Sequence, residues 1–296
     1  MIGGGIAGLT AAHHAARLGR LVTLFEPTGL YGGQVATIDE VDGLGVPGKL
    51  SGQDVAIHLL EEARKIGVQV VERGVDRLEL SKKIVLTDEG GHAYNPDAVV
   101  VASGASLKKL GVPGEVELKG RGVSHCATCD GGFFRNQDVV VVGGGDSAVQ
   151  EALLLAKTSR KIFMISHSPM KARRDYVDKI SARENVEFVW DSEVSEILGD
   201  NAGVSGVRVR NVKDGSAREI ACLGVFPYIG VKPNTGFLPA SMLTPAGHIK
   251  TGADGATEDA RVFAIGAVRA GYGGAVVQAM AEGVGVAEAV TRALVH

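Results

Sequence analysis

Residues 138–156 read DVVVVGGGDSAVQEALLLA, which is a run of valines, three consecutive glycines and then a helix-like pattern. The valine run predicts a strand, the glycines predict a tight turn, and the remainder predicts a helix. Residues 2–18, IGGGIAGLTAAHHAARL, contain the same glycine turn and helix-like pattern, and the strand predicted at residues 21–26 ends in an acid. The chain therefore repeats one unit of strand, glycine turn and helix.

The distribution of glycine indicates the fold class. Glycine supplies 42 of the 296 residues and clusters where β-type apolar runs meet helical patterns, which is typical of α/β proteins. Residues 111–114 and 230–236 are rich in Pro and Gly and indicate linkers. We predict an α/β fold of two Rossmann-like, three-layer nucleotide-binding domains, the second inserted in the first. The first domain is discontinuous and comprises residues 1–112 and 232–296, and the second comprises residues 113–231.

Composition and charge exclude several classes of function. The net charge is −3, and no block of basic residues alternates with aromatic residues, so nucleic acid is not an expected partner. The longest apolar runs, such as residues 98–102, are far shorter than the roughly 20 residues that span a membrane. No secretion signal precedes the first glycine turn, so we expect a cytoplasmic protein without a membrane partner.

The first glycine turn has the spacing of a dinucleotide site. Gly3, Gly5 and Gly8 form the pattern G-x-G-x-x-G, in which glycines permit a tight turn and close approach of the backbone to a pyrophosphate. Glu26 ends the next strand, where an acid would bind ribose hydroxyls, and this favours nucleotide binding over an ordinary glycine-rich turn. Only two residues precede the turn. Because a strand usually has about five residues, either the chain begins earlier or this sheet is weak at its centre.

The second glycine turn has alanine at its last position, which a dinucleotide site tolerates: Gly143, Gly145 and Ala148. The strand predicted at residues 161–165 ends without an acid. Three cations follow it: Lys171, Arg173 and Arg174. The missing carboxylate and the cations favour NADP over NAD, because the 2′-phosphate of NADP is anionic. A solvated helix face is the alternative explanation for the cations.

Cys126 and Cys129 form a C-x-x-C pair that Asp130 follows directly. A zinc site usually has a second pair or histidines at ligand spacing, whereas here only His125 is near and Cys222 stands alone. The pair therefore favours dithiol–disulfide chemistry over metal binding or inert thiols, and we assign no residue to a metal. One thiol of such a pair commonly has a lowered pKa, and the adjacent carboxyl is placed to protonate a leaving thiolate.

The order and spacing of these motifs resemble the low-molecular-weight thioredoxin reductases over essentially the whole chain. The stretches that carry the resemblance are GGGIAGLTAA (3–12), YGGQ (31–34), ASG (102–104), CATCDG (126–131), GGGDSAVQEA (143–152) and YIGVKPNT (228–235). The resemblance implies that the first domain binds FAD, that the second binds NADPH, and that the protein is a homodimer. It also implies that Cys129 faces the flavin, that Cys126 attacks the partner disulfide and that Asp130 is the acid.

The expected activity is the NAD(P)H-dependent reduction of a protein disulfide, with thioredoxin or a thioredoxin-like protein as partner. A hydride passes to FAD, the Cys126–Cys129 disulfide is reduced, and thiol–disulfide exchange follows. The expected cofactor-binding residues are Gly3, Gly5, Gly8, Glu26, Gly33, Gln34, Gly104, Gly143, Gly145, Ala148, His167, Arg173 and Gly266.

Three departures from the family pattern leave alternatives open. The family's His-Arg-Arg-x-x-x-Arg signature aligns with HSPMKAR at residues 167–173, so two of its three arginines are missing and NADH is a possible donor. The family's Gly-Asp is Gly266-Ala267, and its Arg-Gln-Ala aligns with residues 273–275, so two polar flavin contacts are absent. The alternatives are a small-molecule dithiol oxidase, a ferredoxin-driven reductase, and a flavin-poor, non-enzymatic redox-sensing relative.

Overall fold

A computed structural model of the protein describes residues 1–38, 40–41 and 50–294. The chain divides into two units, Met1–Ser106 together with Lys232–His296, and Leu107–Val231. The second unit is thus a single segment inserted in the first. The boundaries lie at 106/107 and 231/232, and the sequence predicts 112/113 and 231/232. The assignment of a cofactor to each unit stays a prediction.

The described part of the chain contains six α-helices and sixteen strands. The helices are α1 Ile6–Arg17, α2 Gly52–Lys65, α3 Ala127–Asp130, α4 Asp146–Leu155, α5 Arg174–Ser181 and α6 Val276–Ala293. The strands are β1 Thr23–Phe25, β2 Gln69–Val71, β3 Val75–Leu80, β4 Ile84–Asp88, β5 Ala93–Tyr94, β6 Val99–Val101, β7 Ala105–Leu107, β8 Asp138–Val142, β9 Lys161–Ser166, β10 Val186–Trp190, β11 Ser192–Asp200, β12 Gly203–Asn211, β13 Ala217–Ala221, β14 Gly224–Pro227, β15 Val231–Pro233 and β16 Val262–Ala264. No helix in the described part of the chain has the length and apolarity that a membrane crossing requires.

A parallel sheet forms the centre of the first unit, where β2 pairs with β1 and β16 pairs with β6. Ile2 joins the two pairs, because it forms parallel bridges to Phe25 of β1 and Val101 of β6. The Gly3 N–H donates to the Phe25 carbonyl at 2.9 Å, and the Ala102 N–H donates to the Ile2 carbonyl at 2.7 Å. The short segment before the first glycine turn is therefore hydrogen-bonded on both sides at the sheet centre.

This parallel sheet lies between a helical layer and a second sheet. Leu24 of β1 belongs to the same apolar cluster as Leu9 of α1 and Leu60 of α2, and α6 packs on α1. The next residue, Phe25, packs instead with Leu86 of β4, which lies in the antiparallel sheet β3–β4–β5. Successive side chains of a strand point to opposite faces, so each of these two residues contributes to one layer boundary.

The second unit has the same three layers. Its parallel sheet has the strand order β10–β9–β8–β14. Val139 of β8 lies in the apolar cluster of Val149 of α4, whereas Val140 lies in the cluster of Val207 of β12, in the antiparallel sheet β11–β12–β13. A parallel strand that is buried on both faces needs an apolar residue at every position, which explains the valine run. The predicted α/β fold class of two Rossmann-like units is confirmed.

The chain passes between the units within β7 and β15, which pair as a two-stranded sheet. Within the second unit, the Lys108 N–H donates to the Gly230 carbonyl at 2.9 Å. Within the first unit, the Asn234 N–H donates to the Gly104 carbonyl at 3.0 Å. Both crossings of the chain are therefore anchored by backbone hydrogen bonds in each unit.

The linker predicted at residues 111–114 lies inside the second unit. The buried carboxylate of Glu115 accepts the N–H groups of Leu110 at 2.9 Å and Gly111 at 2.8 Å. A Cβ at Gly114 would lie 2.0 Å from the carbonyl oxygen of Ile197 in β11. Gly114 thus allows close packing within the second unit. The segment 111–114 does not separate the units, whereas the linker predicted at residues 230–236 includes the second crossing.

We expect Phe226→Ala to lower the free energy of unfolding of the second unit by about 3 to 5 kcal/mol. Phe226 of β14 has 0% exposure and packs edge-to-face on Phe134 with ring centroids 5.4 Å apart, so truncation leaves a cavity. Trp190, the single tryptophan of the chain, lies in the same unit, and its fluorescence during urea unfolding is the measurement. The matched control is Phe133→Ala, because Phe133 is 82% exposed and should contribute at most about 0.5 kcal/mol. Equal destabilisation by both changes would contradict this packing.

Candidate active site

A disulfide joins Cys126 and Cys129 at the start of α3. Cys126 is the N-cap residue of this helix, and the Cys129 N–H donates to its Sγ at 3.1 Å. The Asp130 N–H donates to the Cys126 carbonyl at 3.0 Å and closes the same turn. Cys129 is exposed and Cys126 is half-buried. The structure thus brings the three predicted catalytic residues together in one turn, and their individual roles stay predictions.

The third cysteine has a different environment. Cys222 is buried in the apolar cluster that contains Val207 and Val225. Burial raises the pKa of the Cys222 thiol to about 12. A thiol with this pKa stays protonated at neutral pH and is a poor nucleophile. The environment of Cys222 thus agrees with its separation from the pair in the sequence.

Glu151 of α4 contacts the cysteine turn, and the sequence analysis missed it. Its Oε2 accepts the N–H of Ala127, the residue after Cys126, at 3.0 Å. Burial raises the pKa of the Glu151 carboxyl, while the Ala127 N–H works in the opposite direction. A signal was present, because Glu151 lies three residues after Ala148 and four before Leu155, both of which are buried. An acid at that helical spacing lies next to the apolar face.

The first glycine turn positions the N-terminus of α1. Gly3 has φ +106°, and a Cβ there would lie 2.4 Å from the Ala102 carbonyl oxygen. A Cβ on Gly8 would lie 2.0 Å from the Gly3 carbonyl oxygen. Gly5, in contrast, is the N-cap of α1 with φ −70°, and a Cβ there would meet nothing closer than 4.0 Å. No side chain caps this helix, so its first N–H groups are available to a phosphate, as a dinucleotide site requires.

Glu26 lies beside this turn and is buried. Its Oε2 accepts the Gly4 N–H at 2.8 Å, and its Oε1 accepts the Thr28 N–H at 3.0 Å and the Thr28 hydroxyl at 2.7 Å. The carboxylate therefore stabilises the backbone of the glycine turn through the hydrogen bond to Gly4. Two carboxylate oxygens offer about four acceptor positions, so capacity remains for a ribose hydroxyl.

Three further predicted residues lie around the first turn. A Cβ on Gly33 would lie 3.4 Å from the Cα of Gly5. Gln34 donates its side-chain amide to the carbonyl of Ala105, the residue after Gly104. The YGGQ stretch therefore lies close to Gly5 of the first turn and close to the end of the ASG stretch.

Gly266 also lies against α1, because a Cβ there would lie 3.2 Å from the Cβ of Ala7. Its N–H donates to Glu282 Oε2 at 2.8 Å, and Arg269 pairs with the same carboxylate at 2.6 Å. Burial acts to raise the pKa of the Glu282 carboxyl, but Arg269 and the Gly266 N–H outweigh burial and the pKa is lowered. The sequence analysis missed this pair, which lies next to Ala267.

The backbone conformation at position 274 favours glycine. Its φ is +89°, and a Cβ there would meet no atom within 4 Å. A side chain at position 274 would therefore have space, but residues other than glycine rarely adopt a positive φ of this size. A glutamine at this position, as in the family pattern, would be strained on this backbone.

The second glycine turn positions the N-terminus of α4. Gly143 has φ +134°, and a Cβ there would lie 2.2 Å from the Tyr228 carbonyl oxygen. Ala148 has 0% exposure, so its methyl group fits where the first turn has a glycine. Gly145 is the N-cap of α4, no side chain caps it, and a Cβ there would meet nothing within 4 Å. The Asp146 carboxylate accepts the Arg173 N–H at 2.7 Å, so the segment before α5 folds against this turn.

The structure pairs the predicted phosphate-binding arginine with an acid. The Arg173 guanidinium lies 4.1 Å from the centroid of the Tyr176 ring and 3.4 Å from Asp175 Oδ1. His167 is exposed directly after β9. Arg173 is therefore close to the second glycine turn, but its charge is partly balanced by Asp175.

Comparison with known proteins identifies relatives over nearly the whole chain. The model of the pyridine nucleotide-disulphide oxidoreductase family matches residues 1–283. A thioredoxin reductase of Treponema pallidum is 36% identical over 272 residues, which cover 91% of this chain and 88% of the relative. A thioredoxin reductase of Listeria monocytogenes is also 36% identical, over 91% of this chain and 85% of the relative.

Solved structures of thioredoxin reductases are also similar to this chain over nearly its whole length. The Lactococcus lactis thioredoxin reductase in its FR conformation has a TM-score of 0.93 and 32% identity, over 99% of this chain and 97% of that chain. The T. acidophilum thioredoxin reductase has a TM-score of 0.90 and 28% identity, over 100% of this chain and 97% of that chain. The architecture of this chain is therefore similar to theirs.

We expect Gly5→Ala to weaken FAD binding by about tenfold or more while the melting temperature of the apoprotein stays unchanged. The φ of −70° and the free space permit a methyl group, but this group fills the space that a phosphate would enter, and a lost hydrogen bond to a ligand costs about 1 to 3 kcal/mol. Calorimetric titration with FAD and thermal unfolding are the measurements. Gly8→Ala is the contrasting variant, because its Cβ would lie 2.0 Å from a carbonyl oxygen, and it should lower the melting temperature. Unchanged FAD affinity in Gly5→Ala would exclude this turn as the phosphate site.

Proposed function

The chain belongs to the pyridine nucleotide-disulphide oxidoreductase family, and we propose that it is a flavoprotein that uses NADPH or NADH to reduce the disulfide of thioredoxin or a thioredoxin-like protein. The predicted family and enzyme class are confirmed by the match over residues 1–283 and by the thioredoxin reductase relatives; the protein is an oxidoreductase. One observation carries the proposal: the Cys126–Cys129 disulfide lies in an exposed turn of the unit that contains the second glycine turn.

The proposed reaction balances as a two-electron exchange. The disulfide gains two electrons and two protons and becomes a dithiol. The residues at the N-terminus of α1 would hold FAD, which would supply these two electrons from the nicotinamide nucleotide. The Cys126 thiol gives its proton to Asp130 and attacks the partner disulfide as a thiolate. This step gives a mixed disulfide and a partner thiolate, which Asp130 then protonates. Cys129 then attacks the Cys126 sulfur, restores the disulfide and releases the second partner thiol.

The geometry of the turn supports Cys126 as the attacking thiol. Its Sγ is the sulfur that accepts the Cys129 N–H, at 3.1 Å. A hydrogen bond to the charged form of a group stabilises that form, so this N–H favours the thiolate of Cys126.

The residues gathered at the N-terminus of α1 support FAD binding in the first unit. We propose that these residues hold it: Gly3, Gly5, Gly8, Glu26, Gly33, Gln34, Gly104 and Gly266. The turn offers uncapped N–H groups to the phosphates, and Glu26 offers acceptors to the ribose. The flavin-poor alternative was based on Ala267, Gly274 and the short first strand. Ile2 is hydrogen-bonded on both sides at the sheet centre, and the positive φ of Gly274 favours glycine there, so Ala267 is its remaining support.

The second glycine turn supports nicotinamide binding in the inserted unit. We propose that these residues hold the nucleotide: Gly143, Gly145, Ala148, His167 and Arg173. Arg173 is the cation for a 2′-phosphate, and the adjacent Asp175 carboxylate opposes such an anion. The proposed donor is therefore NADPH with a modest preference over NADH. The family resemblance also supports a cytoplasmic homodimer as part of this proposal.

We expect Cys126→Ser and Cys129→Ser each to abolish the reduction of oxidised thioredoxin by NADPH. The bleaching of the flavin absorbance by NADPH should persist, because the cysteine pair acts after the flavin. Anaerobic spectra and steady-state turnover are the measurements. The control is Cys222→Ala, which removes the buried thiol and should retain turnover. Thioredoxin reduction by either serine variant at the wild-type rate would overturn the assigned role.

We expect Arg173→Ala to lower the ratio of kcat/KM for NADPH to that for NADH by about 10- to 100-fold. This corresponds to the loss of one charge-assisted contact of roughly 1.5 to 3 kcal/mol. Asp175→Asn should raise the ratio by up to about fivefold, because the Arg173–Asp175 pair is about half exposed and such pairs contribute up to about 1 kcal/mol. Arg183→Ala, at an exposed position after α5, is the control that should leave the ratio unchanged. A ratio that is unaffected by Arg173→Ala would assign the phosphate contact elsewhere.

A further inference from the structure

Glu151 carries a carboxyl that the proposed reaction does not use. It lies on α4 of the second unit and is half-buried. Its Oε2 accepts the Ala127 N–H at 3.0 Å, and Ala127 is 2% exposed. A side chain of α4, the helix that begins at the second glycine turn, therefore contacts the residue that directly follows Cys126.

The Ala127 amide needs this acceptor. Ala127 is the first residue of α3, and the first N–H groups of a helix have no acceptor within the helix. A buried N–H without an acceptor is unfavourable. The Glu151 carboxyl satisfies the Ala127 N–H from outside the turn, and so fixes the backbone directly after Cys126.

The position of this backbone controls the hydrogen bond to sulfur. The same four-residue turn directs the Cys129 N–H to the Cys126 Sγ at 3.1 Å, and the Asp130 N–H to the Cys126 carbonyl at 3.0 Å. If the first residue of the turn were released, both bonds would be free to lengthen. The N–H···S bond matters most when the sulfur is a thiolate, because a hydrogen bond to a charged acceptor is stronger than one to a neutral acceptor.

Tyr228 connects this cluster to the second glycine turn. Its buried hydroxyl lies beside the Glu151 carboxyl, and the interaction of the two raises the pKa of Tyr228 and opposes the rise in the pKa of Glu151. Burial raises the pKa of Tyr228, as do the neighbouring carboxylates of Glu151 and Asp130, so these three are the titratable groups around the contact. The Tyr228 carbonyl packs on Gly143. Tyr228 therefore contacts the second glycine turn through its backbone and the Glu151 carboxyl through its side chain.

We propose that Glu151 is a positioning residue of the disulfide centre: its side-chain oxygen holds the Ala127 amide and thereby keeps the Cys129 N–H directed at the Cys126 sulfur, which stabilises the Cys126 thiolate. The role belongs to the oxygen as an acceptor and not to the negative charge. The inference rests on the proposed function, because it concerns the thiol that attacks the partner.

The test compares two replacements that both remove the ionisable carboxyl. Glu151→Gln keeps an acceptor oxygen at the same length, and Glu151→Ala removes it, so the difference between them reports the acceptor alone. Both are made in the full-length chain with Cys129→Ser, which retains the residue-129 N–H and leaves Cys126 as the only thiol outside the core. The rate of alkylation by iodoacetamide is measured against pH, and mass spectrometry identifies the modified residue.

We expect the pKa of Cys126 to be about one unit higher in Glu151→Ala than in Glu151→Gln, which is about tenfold in the thiolate equilibrium. Glu151→Gln should have a pKa at or below that of the parent, since it removes only a neighbouring negative charge. The matched control is Gln150→Ala, on the same helix, whose exposed side chain bonds Tyr176 instead; it should leave the pKa of Cys126 unchanged. Equal pKa values in the alanine and glutamine variants, or a lower value in the alanine variant, would overturn the inference.

Two further measurements keep the test decisive. If Glu151→Ala does not fold, Glu151→Leu removes the acceptor at similar side-chain volume and should give the same rise. If that variant also fails to fold, hydrogen exchange of the Ala127 amide in Glu151→Gln should be as slow as in the parent, and faster exchange would overturn the inference. Alkylation requires neither a cofactor nor a partner. Failure of the wild-type protein to reduce thioredoxin would therefore refute the proposed function alone, whereas normal turnover with equal alkylation pKa values would refute only the role of Glu151.

Discussion

Both units depend on the close approach of a helix to the extended backbone that precedes it: the segment at Ile2 before α1, and β8 before α4. In the first unit, a Cβ on Gly8 would lie 2.0 Å from the Gly3 carbonyl oxygen, so α1 reaches the sheet only without a side chain there. In the second unit, Gly143 is the position with no room for a side chain, because a Cβ there would lie 2.2 Å from the Tyr228 carbonyl oxygen. Ala148 is tolerated because its methyl group is buried in the core. This approach places the uncapped N-termini of α1 and α4 at the ends of parallel strands, where anionic ligands bind.

The features that could be predicted from the sequence are those that residues close together along the chain determine. The glycine turns require particular backbone angles within a few residues, so their spacing identifies them without knowledge of the fold. The valine run of β8 indicates a strand that is buried on both faces. The cysteine turn is equally local, because Cys126 and Cys129 are one helical turn apart and close the disulfide within that turn. The fold class and the reactive pair follow from such short-range constraints.

The unpredicted features depend on contacts between distant positions. Glu151 meets Ala127 across 24 residues of the chain, and Glu282 meets Gly266 across 16, and no local pattern specifies either partner. Gly274 is similar, because its identity follows from a positive φ that only the folded loop imposes. The segment 111–114 has the composition of a linker, yet Gly114 packs on Ile197 inside the second unit. In each case the residue type is informative only after its spatial neighbour is known.

The pairing of β7 with β15 brings the two ends of the inserted unit together. The Lys108–Gly230 hydrogen bond joins those ends, and the Asn234–Gly104 bond joins the two edges of the host segment. An excised segment 107–231 would have adjacent termini, and the host could be closed by a short turn, whose entropic cost is small. The inserted segment could therefore be exchanged as a whole. Such an exchange would replace the thiol centre and the proposed nicotinamide site together, and the sheet of the first unit would stay continuous.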